Sequence, residues 1–347
     1  MSASFIALSD IHLGYDRCKV NTPEVQEYVA TEIAKLTGGV CDKLILNGDC
    51  FEICIPADAD FDKDYISPFV SKVSKSFFSC LTKYTKFKEI VFTDGNHDYT
   101  LWNNVFTRNK PYKATVVLKN GTFKQEKGVL DALLGDSEQY VQKISVVDPV
   151  YFMGNGWPYC AFTHGHLLDD LVLGHGSDVQ YAELKAIGVA RPNVIMDGTE
   201  TLNEISNKTK KFVLKLWTPD SKIRQVFWAL TRRDVEELHC NSAPGPVRDE
   251  PFHNNLGKNL KWFCDTIMTD PLSPFPDIRY QNWPSYLFVG HDHYGGTTEV
   301  ESLDGFKFKV INTGGWTDDG GKGIIPHAHV IMWERGGNKP LTFSFKV

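Results

Sequence analysis

The strongest constraint on the fold is a repeated pattern in which a short apolar run stops abruptly at a polar cluster. Apolar runs of about 4–8 residues bounded in this way are typical of buried strands, and the polar residues then stand where each strand ends. The runs cover residues 4–9, 43–46, 89–93, 158–163 and 285–289, and the clusters begin at Asp10, Asn47, Asp94, His164 and Gly290.

Helical segments separate the first three runs. Thr22 and Pro23 offer an N-cap and a helix-opening proline, Gly38 closes that helix, and Ser67 with Pro68 opens a second one. Alternation of strand, helix and strand predicts a layered α/β sheet, and ligands bind in the crevice at the carboxyl ends of such strands. We therefore expect all five polar clusters to converge on one edge.

The C-terminal part of the chain predicts further strands. Apolar and polar residues alternate over residues 306–311, 328–333 and 341–347. Earlier in the chain, the pair Asn120 and Gly121 predicts a hairpin, because these residues accept the left-handed backbone of a tight turn.

Residues 167–284 interrupt the pattern between the fourth and fifth clusters. This stretch is far longer than a connecting loop requires. We interpret it as an inserted, partly helical cap over the strand ends, with residues 1–166 and 285–347 forming the catalytic core.

Composition limits the function classes. The net charge of −6 argues against a protein that coats nucleic acid. The eight cysteines form no CxxC pair and no dense framework, so we expect reduced thiols. The N-terminus carries no signal-peptide pattern, and no run approaches the roughly 18 apolar residues of a membrane span. We therefore expect a soluble, cytoplasmic protein.

The polar clusters contain seven candidate metal ligands. Asp10 and His12 are two positions apart at a strand end, so their side chains leave the same side and can grip one cation. Asp49 follows a glycine at a point where one carboxylate could lie between two cations and use one oxygen on each. The remaining candidates offer an amide oxygen and three imidazoles: Asn96, His164, His291 and His293.

Mixed carboxylate, amide and imidazole donors favour Mn, with Fe or Zn as alternatives, over Ca or Mg. The absence of thiolates argues against a structural zinc site. Two such cations about 3.5–4 Å apart would activate a bridging hydroxide and neutralise the charge of a phosphoryl group.

These side chains form five motifs in a fixed order: Asp10 and His12; Gly48, Asp49 and Glu52; Gly95, Asn96, His97 and Asp98; His164 and His166; Gly290, His291 and His293. The order resembles the calcineurin-like metallophosphoesterase superfamily. The resemblance covers roughly residues 4–166 and 285–347. It implies a layered α/β sandwich with the active site at the carboxyl ends of the strands, and hydrolysis of a phosphate ester or phosphoanhydride.

The resemblance also implies a role for each residue. One metal would take Asp10, His12, Asp49 and His293, and the other would take Asp49, Asn96, His164 and His291. His97 looks like the catalytic imidazole of the family, which protonates the leaving oxygen or stabilises its charge, with Asp98 orienting it. His166 is either a ligand or a neighbour of the ligands, and Glu52 is either a hydrogen-bond acceptor or a catalytic group.

The specific substrate is left open. Residues 48–52 and 312–316 look most like the UDP-2,3-diacylglucosamine hydrolase branch, which cleaves a nucleotide-linked lipid pyrophosphate, whereas residues 9–14 also look like the repair-nuclease branch. A phosphorylated small molecule or nucleotide-linked substrate is expected, and the acidic balance weighs against nucleic acid. A protein-binding scaffold on the same fold is the non-enzyme alternative, although a scaffold would be free to lose ligands and none is missing.

Residues 205–233 mix eight basic residues with aromatic and aliphatic ones around a single acid, Asp220. Such a stretch could contact an anionic membrane peripherally, or grip a large anionic substrate. It could equally form two helices that pack on the domain and leave their lysines in solvent. The sequence does not predict an oligomeric state.

Overall fold

A computed structural model describes residues 3–15, 17–53, 66–95, 97–98, 101–102, 105, 115–148, 150–155, 157–165, 284–291, 293, 295–301, 307–317 and 328–345. The helices with described bounds are α1 (Pro23–Thr37), α2 (Pro68–Tyr84) and α3 (Lys127–Leu133). The strands are β1 (Ala3–Leu8), β2 (Val40–Asn47), β3 (Lys86–Thr93), β4 (Thr115–Asn120), β5 (Phe123–Lys124), β6 (Lys143–Val147), β7 (Tyr151–Asn155), β8 (Trp157–Phe162), β9 (Tyr286–Val289), β10 (Gly296–Glu301), β11 (Lys307–Asn312), β12 (Ala328–Glu334) and β13 (Leu341–Phe345).

The strands form two mixed sheets. One has eight strands in the order β13-β12-β1-β2-β3-β6-β4-β5, and the other has five in the order β10-β11-β9-β8-β7. The chain is therefore a mixed α/β protein, as expected. The expectation of one common sheet edge needs correction, because β1, β2 and β3 belong to the first sheet whereas β8 and β9 belong to the second.

Alternate residues of β1 pack into two different cores. Ile6 and Leu8 pack in the core that contains the apolar faces of α1 and α2. Phe5 and Ala7 pack in the core between the sheets, where the Phe5 ring meets the Phe162 ring edge-on at a centroid distance of 5.3 Å. Burial on both faces explains why the strand appears in the sequence as a continuous apolar run.

The local predictions for helices and the hairpin are confirmed. The Thr22 side chain caps α1, and Gly38 ends it in the left-handed conformation with φ 63°. The Ser67 hydroxyl accepts from the Val70 amide at the start of α2. Asn120 pairs with Phe123 across the predicted turn.

The predicted cap lies outside the described residues, apart from its last position, and so does the basic stretch 205–233. The five cysteines within the described part are free thiols. Within the same ranges, no helix is long and apolar enough to cross a membrane. The cytoplasmic location stays a prediction from the sequence.

Candidate metal centre

The candidate ligands lie in the loops that leave the carboxyl ends of four strands. Asp10 and His12 follow β1, and Asp49 follows β2, in the eight-stranded sheet. His164 follows β8, and His291 and His293 follow β9, in the five-stranded sheet. The other candidate ligand, Asn96, and His166 are outside the described residues.

The backbone of these loops has an unusual conformation. Among the described residues, the non-glycine residues with positive φ all have values between 49° and 76°. This left-handed backbone costs roughly 1–2 kcal/mol per residue, and such strain concentrates at functional sites. The residues are Asp10, His12, Asp49, His291 and His293, each of them a ligand predicted from the sequence.

Besides the set of His12, Glu52 and His97, two largely buried sets of donor atoms lie side by side, and within each set the atoms are within 4.8 Å of one another. The first contains Asp10, His12 and His293, with 3.1 Å between the two imidazole Nε2 atoms and 3.5 Å from His293 Nε2 to Asp10 Oδ1. The second contains Asp10, Asp49 and His164, with 3.1 Å between His164 Nε2 and Asp49 Oδ2. Either set could hold a metal ion.

The carboxylates of Asp10 and Asp49 each lie close to imidazoles of both donor sets. Asp10 is a member of both sets. Asp49 is in one set, but its Oδ2 is also 3.7 Å from His12 Nε2, while its Oδ1 accepts from the His97 amide at 2.8 Å. Asp49 thus presents the same oxygen, Oδ2, to imidazoles of both sets, which is compatible with the expected shared position. The expected use of one oxygen for each cation differs from this arrangement, because Oδ1 accepts from the His97 amide.

His291 is held beside these sets. Its backbone amide lies 2.9 Å from Asp10 Oδ1 and 3.1 Å from Oδ2. Its ring meets the His164 ring edge-on at a centroid distance of 5.3 Å. The structure therefore brings five of the predicted ligands together and places His291 next to them.

Each imidazole in the two sets has a partner on its other ring nitrogen. His12 Nδ1 is 3.1 Å from Glu52 Oε2, His164 Nδ1 is 3.2 Å from the Asn47 carbonyl, and His293 Nδ1 is 3.1 Å from Thr317 Oγ1. Such partners fix ring orientation and tautomer, and leave Nε2 as the atom available to a cation.

His97 lies beside the donor sets and is more accessible than His12, with 12% of its side chain exposed against 3%. Its Nδ1 is 3.2 Å from Glu52 Oε2. The Asp98 carboxylate instead accepts from the amides of Gly95 and Cys50 at 2.8 and 2.9 Å. Glu52 therefore contacts the His97 ring, and Asp98 braces the backbone of two candidate ligand loops. That Asp98 orients His97 stays a prediction.

The electrostatics of the centre favour positive charge. Burial alone would raise the pKa of Asp49, but His164 and His97 outweigh it and hold that pKa well below its usual range. Burial would lower the pKa of His164, yet Asp49 and Asp10 raise it to about 9. Burial and the neighbouring Asp49 raise the pKa of Asp98 to about 7. The buried carboxylates thus stabilise a positive charge on the neighbouring imidazoles, and the same negative environment would stabilise a divalent cation.

Glycines allow the loops to approach the ligands closely. A Cβ on Gly48, which has φ 82°, would overlap the His164 ring. A Cβ on Gly290 would overlap the Asp10 carboxylate and the Ser9 side chain. Both positions therefore require glycine.

Several residues that hold the ligands were not predicted. The Ser9 hydroxyl hydrogen-bonds both the Asp10 carboxylate and the Thr313 hydroxyl. The remaining two are Asn47 and Thr317, the partners of His164 and His293. Ser9 and Asn47 directly precede ligand motifs in the chain, and this proximity is the signal that could have identified them.

No protein-family model matches the chain, and no curated protein matches it. What the fold and the site define is a mixed α/β protein with buried aspartate and histidine groups that could hold a metal ion.

Proposed function

We propose that the chain is a metal-dependent phosphoesterase of the calcineurin-like type, with a dinuclear centre that hydrolyses a phosphate ester or phosphoanhydride bond. The observation that carries the proposal is the pair of adjacent, buried donor sets joined by Asp10, with the imidazole of His97 beside them. The order of the five sequence motifs supports the same interpretation.

The donor types fit two cations, most favourably Mn. Asp10, His12 and His293 would hold one, and His164 would hold the other together with the predicted ligands Asn96 and His291, with Asp49 shared between the two cations. When bound, such cations supply an activated water and neutralise charge on the phosphoryl group. Mixed oxygen and imidazole donors suit Mn, Fe and Zn.

The protein's own residues would manage the leaving group. His97 Nδ1 faces the buried carboxylate of Glu52, so its Nε2 is the atom that can give a proton to the departing oxygen. The partial exposure of His97 is compatible with contact to a substrate. Glu52 also contacts His12, and so one carboxylate couples the orientation of the acid to that of a metal ligand.

A hydrolysis screen tests the proposal. The chain is stripped with a chelator, reloaded with Mn, Mg, Zn or Fe(II), and supplied with phosphomonoesters, phosphodiesters including an oligonucleotide, and nucleotide-linked pyrophosphates. We expect activity only after reloading, with Mn the best cation. Activity that survives the chelator, or a chain that binds none of the cations, would contradict the proposal.

The Asp10→Asn variant is the matched control for the screen. It keeps the size of the side chain and removes the charge from the residue common to both donor sets, so it should be inactive with every cation. The pyrophosphate and oligonucleotide arms distinguish the two substrate branches that the sequence leaves open.

A further inference from the structure

Asn47 connects the two sheets at the strand ends that carry the ligands. It is the last residue of β2 and is fully buried. Its side-chain amide donates to the carbonyl of Thr163, directly after β8, and to the carbonyl of Phe288 in β9, at 2.9 and 3.2 Å. Its Oδ1 accepts from the Thr93 hydroxyl at 3.0 Å. Each polar atom of the side chain is therefore used, and both amide donors cross between the sheets.

The same residue also contacts the metal centre through its backbone. The Asn47 carbonyl is 3.2 Å from His164 Nδ1, and Asp49 is two residues further along the chain. Thr163, which accepts from the Asn47 side chain, directly precedes His164. Asn47 thus holds His164 both through its own carbonyl and through Thr163. It also lies two residues before Asp49, whose carboxylate faces His164.

A cation held by both Asp49 and His164 requires a particular distance between their donor atoms. Asp49 comes from the first sheet and His164 from the second, and their facing atoms are 3.1 Å apart. Oxygen and nitrogen ligands about 2.0–2.2 Å from a common cation lie roughly 3 Å from each other. A change in the spacing of the sheets would alter this separation directly.

We propose that Asn47 is a positioning residue that sets the separation of Asp49 and His164, and thereby the affinity of the cation held between them. The proposal rests on the metal centre of the proposed function, but requires no particular substrate. It predicts that removal of the side-chain amide weakens one of two cations, by the roughly 10–100-fold that is typical when a partner of a ligand is removed.

Two variants separate the contributions of the amide. Asn47→Ala removes all three side-chain hydrogen bonds. Asn47→Asp keeps the shape and the acceptor for Thr93, but places a carboxylate against two carbonyl oxygens that it can only repel. We expect both to weaken the same cation.

Gln26→Ala is the matched control. Gln26 is also a buried amide that joins two elements, because its Nε2 donates to the Val73 carbonyl of α2 at 3.1 Å and its Oε1 accepts from Ser76 at 2.5 Å. The loss of buried hydrogen bonds is similar, but these hydrogen bonds of Gln26 join α1 to α2 and do not lead to a ligand. The variant should lower the thermal midpoint and leave both cations in place.

Mn²⁺ titration calorimetry, metal content and Mn electron paramagnetic resonance provide the measurements. Wild type and Gln26→Ala should bind two Mn²⁺ and show the signal of a coupled pair, whereas the Asn47 variants should bind one at wild-type affinity and show the signal of an isolated ion. Two Mn²⁺ at wild-type affinity in the Asn47 variants would overturn the inference, and so would equal metal loss in Gln26→Ala.

Thr93→Val covers the case in which the Asn47 variants fail to fold. It removes one hydrogen bond to the Asn47 side chain and should weaken the same cation to a smaller extent; unchanged binding of two Mn²⁺ in this variant would count against Asn47. A wild-type chain that binds no Mn²⁺ is a different result, since it removes the proposed function itself.

Discussion

At the residue scale, the ligand positions combine two demands that few residue types meet. The backbone must accept positive φ, and the side chain must offer a donor atom to a cation. Aspartate and histidine tolerate the left-handed region better than β-branched residues do, and both are metal ligands. Asp10, His12 and Asp49 satisfy both demands in the two loops that follow β1 and β2.

The first prediction concerns Asp49. Its Oδ2 lies 3.7 Å from His12 Nε2 of the first donor set and 3.1 Å from His164 Nε2 of its own set. Asp49→Asn should therefore lower the bound metal from two ions towards zero and abolish Mn-stimulated hydrolysis. Metal analysis after dialysis measures this. A variant that keeps one tightly bound ion would show that Asp10, and not Asp49, is the shared ligand.

The second prediction separates chemistry from metal binding. His97→Ala should keep both cations and slow turnover by ~10²–10⁴, the usual range for a positioned acid. The effect should be smaller for p-nitrophenyl esters, because a good leaving group needs little protonation. Rates for a series of leaving groups give the comparison, and equal effects across that series would refute the role of His97 as an acid.

At the element scale, the helices and the ligand loops could be predicted because their signals are local. Thr22, Gly38 and Ser67 act on the backbone next to them. Strand starts were harder to predict. The predicted run 43–46 belongs to β2, which begins earlier, at Val40. This start was missed because the first half of the strand is partly exposed and lacks a continuous apolar run.

The division into two sheets could not be predicted. Phe162 pairs with Phe288 in the parallel ladder of β8 and β9, and nothing in a local apolar pattern encodes which distant run it will meet. The candidate ligands could be named without this knowledge because they lie in motifs. Asn47 and Thr317 were missed because their roles arise from contacts with residues that only the fold brings close.

The third prediction tests the close approach of β2 and β8. Gly48→Ala should lower stability and weaken the cation beside His164, because the new methyl group would overlap the His164 ring at φ 82°. Gly121→Ala is the matched control, since Gly121 has φ 58° and open space around its Cβ position. Both carry the backbone cost of roughly 1–2 kcal/mol. Thermal melts and Mn²⁺ titration of the pair isolate the effect of the overlap, and equal metal affinity in the two variants would contradict it.

At the scale of the whole molecule, the sequence makes a prediction for a part of the chain outside the described residues. If residues 205–233 grip an extended anionic substrate, serine in place of Lys210, Lys211, Lys215 and Arg224 should leave p-nitrophenyl ester turnover nearly unchanged. Binding of a nucleotide-linked lipid should weaken by about 1.5–3 kcal/mol for each charge-assisted hydrogen bond that the substitutions remove. If the variant no longer sediments with anionic vesicles but keeps its activity on soluble extended substrates, the stretch binds a membrane. If neither assay changes, its basic residues form a solvated surface.

The last prediction follows from the origin of the ligands in both sheets. A cation between Asp49 and His164 joins β2 of one sheet to β8 of the other, so it binds the folded chain and not the unfolded one. Free Mn²⁺ at about 100 times its dissociation constant should therefore stabilise the fold by about 2.7 kcal/mol. Thermal melts at increasing Mn²⁺ should show a rising midpoint in wild type and in Gln26→Ala, and a flat one in Asp49→Asn. If the wild-type midpoint does not change with Mn²⁺, the donor sets do not bind a cation. A cation bound by ligands from both sheets would hold the two sheets together and so stabilise the fold.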